Sequence, residues 1–190
     1  MAIPGLDDVA DLIRSRRTNL RINRDRAVDP DLIQQLCELA TWAPNHKLTQ
    51  PWRFAVLEGD ARARVGEITA AAQAAAGETD DNRLGKTRAK YLRAPVVVAI
   101  AVSSGPEADP VRSAEDRDAV AAGVQTFLLA ATAAGLAGYW GTGLVTSVDG
   151  VKELCGFGPG DVAVAFVYLG WPTGDVPVPQ RAAPRINWIR

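Results

Sequence analysis

An arginine-rich segment near the start of the chain is the first place where residue type and spacing indicate chemistry. Six arginines fall between positions 14 and 26, in a chain whose formal net charge is only −1. A guanidinium group can bond two phosphate oxygens at once, and Thr18 can add a hydroxyl. The segment is thus a candidate phosphate clamp, although a solvated charged face is the commoner meaning of such a pattern.

The only histidine of the chain, His46, lies in the segment "APNHKLTQPWRF" at positions 43–54. Pro44 and Pro51 flank it, and neither a helix nor a strand runs easily through such a pair. His46 is therefore expected on a short, stiff connection, and such connections carry function more often than element interiors do. A lone histidine is also often a surface or capping residue, so the segment alone leaves both interpretations open.

A glycine-containing turn follows an apolar stretch at Trp140, Gly141, Thr142 and Gly143. Glycine lets backbone N–H groups approach a flat ligand closely. The same residues also form ordinary tight turns, which are more frequent.

Other catalytic chemistries have weaker support. The segment "LGKT" at 84–87 resembles the end of a P-loop, but seven residues separate Gly77 from Gly85 instead of four, and no strand leads into it. "GYWGTG" does not match the dinucleotide fingerprint. One histidine and two distant cysteines give no metal-ligand spacing, and no GxSxG elbow is present.

Length and composition favour one domain, since 190 residues with 47% hydrophobic content can build a single core. The near-neutral charge argues against a nucleic-acid or membrane-surface role for the whole molecule. The N-terminus is acidic where a signal peptide is basic, and no apolar run approaches ~20 residues, which predicts a soluble, cytoplasmic protein. Cys37 and Cys155 lack a CxxC spacing and are expected as reduced, buried thiols.

The hydrophobic pattern predicts helices mixed with a few mostly buried strands, an α+β or mixed α/β arrangement. Strands are expected over 52–58, 94–103 and 162–171, and from 138 into the glycine turn. Helices are expected from Leu6, from Pro30 (capped by Asp29 and stopped by Pro44), over 61–77, 83–93 and 147–156, and from a Ser113 cap to 138. Residues 103–112, which include Pro106 and Pro110, are expected to form a loop.

Taken in order, these segments resemble the nitroreductase family of flavoproteins, most closely its short, single-domain bacterial branch. The resemblance rests on "SRRTNLR", "APNHKLTQPWRF", "RAPVVVAIAV", "GYWGTGL" and "VAFVYLGWP", which span roughly residues 6–172. It implies an α+β fold with a central, mostly antiparallel sheet flanked by helices, in an intertwined homodimer. A nitroreductase-like FMN-binding domain would cover residues 1–172, and the extended tail 173–190 would pack on the partner.

The same resemblance implies a function and a set of site residues. FMN would lie at the homodimer interface, take hydride from NAD(P)H and reduce nitroaromatic, quinone-like or related acceptors by a ping-pong mechanism. Arg16, Arg17 and Thr18 match the positions that bind its phosphate and ribityl end. His46 matches a position contributed by the neighbouring subunit, with Trp42 lining the same pocket. The turn against the flavin ring matches Trp140, Gly141 and Thr142.

Two positions depart from the family pattern. Related short members can have arginine where this chain has Gly141, and another basic residue where it has Trp42. Losing two positive charges near the flavin would lower its reduction potential. A flavin-binding or sequestering protein with little turnover is therefore an alternative hypothesis, and a nucleic-acid-binding module using residues 14–26 is another.

Overall fold

The most apolar run of the chain forms a central strand of the sheet. In the computed structural model, which describes residues 3–105 and 107–190, four strands are β1 (Trp52–Leu57), β2 (Val96–Val102), β3 (Ala137–Gly141) and β4 (Val162–Gly170). Their order in the sheet is β1-β2-β4-β3, and all three neighbouring pairs are antiparallel. β2 and β4 are buried on both faces because helices cover each side of the sheet.

Alternate residues of β2 face two different helical layers. The α-helices of the described chain are α1 (Leu6–Ser15), α2 (Pro30–Ala40), α3 (Asp60–Ala75), α4 (Asp81–Ala89), α5 (Pro110–Ala133) and α6 (Asp149–Leu154). Val96, Val98 and Ile100 pack with α2 and α5 in one hydrophobic cluster, whereas Val97 and Ala99 pack with α3 and α6 in another. The predicted α+β fold with an antiparallel sheet is confirmed.

The start of α5 differs from the prediction. The N-cap is Asp109, whose carboxylate accepts the backbone N–H of Arg112 at 2.9 Å, and Pro110 is in the first turn. The predicted Ser113 cap was wrong, because an Asp-Pro pair that begins four residues earlier supplies both a strong cap and a fixed φ. The predicted loop is correspondingly shorter, and Pro106 lies outside the described residues.

The segment after β4 has no helix or strand beyond residue 172, and backbone contacts attach its first part to the arginine-rich segment. Thr173 N–H donates to the Arg21 carbonyl at 2.8 Å, and the Asn19 side-chain Nδ2 donates to the Gly174 carbonyl at 3.2 Å. Farther along, Trp188 and Ile189 are 79% and 97% exposed. None of the helices in the described ranges has the length and apolar character needed to cross a membrane.

Both cysteines are free thiols and half-buried, somewhat less buried than predicted. Burial raises the pKa of the Cys37 thiol and of the Cys155 thiol from 9.0 to about 11. Their folded-state protons are therefore held more tightly than in the unfolded chain.

This difference predicts a loss of stability in alkali. The thiols' contribution is fully present below pH 9 and is lost as the pH rises to about 11, so the free energy of unfolding should fall across that interval. Urea denaturation at a series of pH values measures it. A double Cys37→Ala, Cys155→Ala variant should show a shallower fall; an equal fall in both proteins would contradict the assignment.

Candidate functional site

The end of α1 opens onto a cavity lined by arginines. The cavity has a volume of about 450 Å³, and its walls are residues of α1 and its C-terminal extension, one residue of α5 and part of the tail: Ile13, Arg14, Arg16, Arg17, Gln125, Val178, Pro179 and Arg181. Four of these eight residues carry a guanidinium group, and none carries a carboxylate. Such a donor set favours a ligand with a compact negative charge.

Arg16 and Arg17 are held differently. Arg17 donates to the carbonyls of Arg14 and Arg16, which are left over at the end of α1, while its Nε is buried without a hydrogen-bond partner among the described residues. Arg16 makes no ion pair within the same described ranges. An orphaned buried donor beside an unpaired guanidinium fits the phosphate group of a bound flavin nucleotide.

The structure divides the six arginines of the segment by role. Arg14, Arg16 and Arg17 line the cavity. Arg21 donates to the Asp175 carbonyl of the tail at 2.9 Å, and Arg26 stacks on the Trp171 ring with 3.8 Å between the guanidinium carbon and the ring centroid. Arg24 is exposed. Three of the six arginines therefore line the cavity, and Arg21 attaches the first part of the tail.

Arg181 is a candidate site residue that sequence analysis missed. It lies in the tail, 164 positions after Arg17, and it lines the same cavity. The tail shows no hydrophobic period from which its path could be predicted. Pro177 and Pro179 are the sequence feature that could have indicated it, since prolines favour an extended chain that can reach across a surface.

The arginine-rich segment lies along the open edge of the sheet. Thr18 forms an isolated parallel bridge with Gly138, and Asn19 N–H donates to the Gly138 carbonyl at 3.1 Å. Thr18 therefore lies beside the start of β3, directly after Arg16 and Arg17, and the same strand carries Trp140 and Gly141 at its other end and leads into Thr142. A second cavity, of about 490 Å³, continues from Arg17 past Ser15 to Ala137. The arginines and the glycine turn therefore lie along the same sheet edge but at opposite ends of β3, and residues 140–142 line neither cavity.

Gly141 is buried, and neighbouring residues fill the space around it. The Trp140 ring packs on the α5 side of the sheet and donates Nε1–H to the Val164 carbonyl at 3.3 Å. A Cβ at Gly141 would lie 3.1 Å from the Tyr168 ring and 3.2 Å from the Tyr139 ring. These rings fill the space that a larger side chain would need. Gly143, with φ of 102°, makes the turn that follows.

His46 and Trp42 do not line the arginine cavity. His46 is exposed on a loop that borders a separate cavity of about 440 Å³ at the start of α5, together with Asp116. Asp116 and Gln125 are nine positions apart on α5, about 14 Å along the helix axis. Trp42, just after α2, is 77% exposed. Of the eight predicted residues, only Arg16 and Arg17 line the arginine cavity; Thr18 and residues 140–142 lie along the neighbouring sheet edge, and Trp42 and His46 lie apart.

The "LGKT" segment is not a phosphate loop, since Gly85 lies inside α4. No cluster of three or more His, Cys, Asp or Glu side chains suited to a metal ion occurs in the part of the chain that the structure describes.

Comparison with known proteins gives the family. The model of the nitroreductase family matches residues 13–171. The Escherichia coli (strain K12) protein named "Putative NAD(P)H nitroreductase YdjA" is 32% identical over 165 residues, which cover 87% of this chain and 88% of that protein. The chain belongs to the nitroreductase family and is an oxidoreductase, as the motifs predicted.

Solved structures show the same fold. A nitroreductase-like family protein from Bacillus cereus superposes with a TM-score of 0.79 at 25% identity, covering 96% of this chain and 95% of that one. A Desulfovibrio desulfuricans protein solved in complex with FMN gives a TM-score of 0.69 at 26% identity, covering 92% and 91% of the two chains.

Proposed function

We propose that this protein is an FMN-dependent oxidoreductase that takes hydride from NAD(P)H and reduces nitroaromatic, quinone-like or related small acceptors. The observation that carries the proposal is the arginine cavity without a carboxylate, placed beside β3 in a nitroreductase fold. FMN is the cofactor, and when bound it supplies a ring that accepts and returns two electrons as hydride. The cavity is bordered by Gln125 of α5 and by the tail, which suits a small anion better than a nucleic-acid backbone.

This chain's own residues would bind and orient the cofactor. Arg16 and the buried Nε of Arg17 would bind its phosphate, with Thr18 adding a hydroxyl on the ribityl side. The backbone of Trp140, Gly141 and Thr142 would lie against the ring, since the side-chain space at Gly141 is already filled. Donor and acceptor would then occupy the same site in turn, which explains why the sequence has no separate dinucleotide motif.

A homodimer would complete the site. Trp42 and His46 lie apart from the arginine cavity within one chain, so they would serve the cavity of the partner. Large apolar side chains support an interface: Leu6 on α1 is 83% exposed, and Trp188 and Ile189 extend from the tail. Tail residues 173–190 would pack on the partner, next to a domain of residues 1–172. Free thiols fit the reducing cytoplasm.

Flavin binding with little turnover is the second candidate. It is favoured by the absence of a basic side chain at Gly141 and Trp42, because such charges would stabilise an anionic reduced ring.

Anaerobic stopped-flow mixing with NADPH or NADH separates the two functions. The FMN-loaded protein should lose its flavin absorbance within seconds, and it should recover the absorbance when a quinone or nitroaromatic acceptor is added. No bleaching over minutes with either donor would contradict the enzyme and favour the flavin-binding protein.

A further inference from the structure

The loop that carries His46 has a backbone that side chains normally avoid. Lys47, Leu48 and Gln50 have φ values of 52°, 53° and 49°, in the left-handed region that favours glycine. Residues with a Cβ remain in this region only where surrounding contacts hold them there. Specific contacts must therefore hold the loop in this conformation.

On the side that faces α5, side-chain packing does not hold the loop. A cavity of about 440 Å³ lies there, bordered by His46, Lys47 and Thr49 from the loop and by Arg112 and Asp116 from the helix. Hydrogen bonds must hold the loop across this space.

Asn45 and Thr49 form the inner part of a hydrogen-bond chain. The Asn45 Oδ1 accepts the backbone N–H of Gln50 at 2.7 Å, and its Nδ2 donates to Thr49 Oγ1 at 2.8 Å. The single hydroxyl proton of Thr49 then goes to Asp116 Oδ1. The direction of every bond in the chain is thereby fixed.

Asp116 ends this chain inside the fold, and its second oxygen, Oδ2, makes no hydrogen bond among the described residues. Its exposed fraction is 1%, and its Oδ2 lies 3.8 Å from Arg112 Nε one turn earlier on α5. The backbone N–H of Arg112 is in turn bound by the Asp109 cap. A carboxylate is costly to bury unless its partners are in place, so Asp116 is poorly explained as a packing residue.

We infer that Asp116 is a positioning residue, which acts through Thr49 and Asn45 to hold the His46 loop in its strained conformation. Its importance for catalysis rests on the proposed function, in which His46 reaches the partner's FMN site. The hold on the loop itself does not depend on that function.

Thr49→Val tests the inference because it keeps the side-chain shape and removes both hydrogen bonds, whereas Thr49→Ser keeps the hydroxyl. Thr87→Val is the matched control, since it removes a hydroxyl bond to Gln73 Oε1 between α3 and α4. His46 is the only histidine, so its ring Hε1 proton gives one NMR line that needs no assignment. Amide exchange at Gln50 and the Kd for FMN are the other readouts.

Thr49→Val is expected to shift the His46 line, to speed Gln50 exchange at least tenfold and to weaken FMN binding at least fivefold. Thr49→Ser should leave the His46 line in place and keep the Gln50 exchange rate and the Kd for FMN within about twofold of the unsubstituted protein. Thr87→Val should also leave the His46 line in place. Asp116→Leu should move the His46 line as Thr49→Val does; should it not fold, the Thr49 pair carries the test.

A His46 line and a Gln50 exchange rate unchanged by Thr49→Val would overturn the inference, as would a His46 line unchanged in folded Asp116→Leu. Failure of the unsubstituted protein to bind FMN would overturn the proposed function instead, and the NMR and exchange readouts would still test the loop.

Discussion

Arg16→Ala is expected to raise the Kd for FMN roughly 30-fold, because a charge-assisted contact to phosphate contributes about 2 kcal/mol. Arg16 lines the cavity and has no carboxylate partner in the described chain, so its guanidinium is available to a ligand. The protein should remain folded, since Arg16 contributes no side-chain hydrogen bond to the described structure. Flavin fluorescence titration gives the Kd, and circular dichroism checks the fold.

Arg24→Ala is the matched control for this prediction. It removes one positive charge from the same segment, but Arg24 is exposed and does not line the cavity. Its effect on the Kd should be less than about threefold, the scale of a screened, exposed charge. An unchanged Kd in Arg16→Ala would remove Arg16 from the site. An equal loss of FMN affinity in both variants would mean that the overall positive charge of the segment, and not a contact from Arg16, attracts the flavin.

Gly66→Ala is expected to destabilise the fold by about 3 kcal/mol. A Cβ at Gly66 in α3 would lie 2.2 Å from the backbone carbonyl oxygen of Arg88 in α4. Backbone cannot move aside as a flexible side chain can, so the two helices would have to separate. Urea denaturation measures the difference in the free energy of unfolding.

The neighbouring helix offers a matched glycine with the opposite expectation. Gly85 lies within α4, and a Cβ there would meet nothing within 4 Å. Gly85→Ala should therefore raise stability by up to about 1 kcal/mol, since alanine is the better helix former. A Gly66→Ala protein as stable as the unsubstituted chain would mean that α3 and α4 pack farther apart than described.

The elements that pack the core were predictable because their signals are local. The apolar runs of β2 and β4, and the Asp29-Pro30 start of α2, each lie within a few residues. The start of α5 was misplaced because two capping residues, Asp109 and Ser113, lie one turn apart and only the structure decides between them.

The parts of the candidate site that escaped prediction depend on distant contacts. Arg181 lines the same cavity as Arg17 only because the tail returns to α1, and no hydrophobic periodicity in the tail predicts that path. Lys47 and Leu48 have left-handed backbone conformations, but neither is a glycine, so the sequence does not indicate them. The conformation depends on the hydrogen bond from Thr49 to Asp116, which lies 67 positions later in the chain. The crowding at Gly141 comes from Tyr168 on the adjacent strand.

Sedimentation velocity of the purified protein, recorded in both the protein and the flavin absorbance bands, tests the central claim most directly. The account predicts a yellow dimer in which flavin sediments with the protein at one FMN per chain. A colourless protein that takes up no added FMN and sediments as a single chain would contradict it.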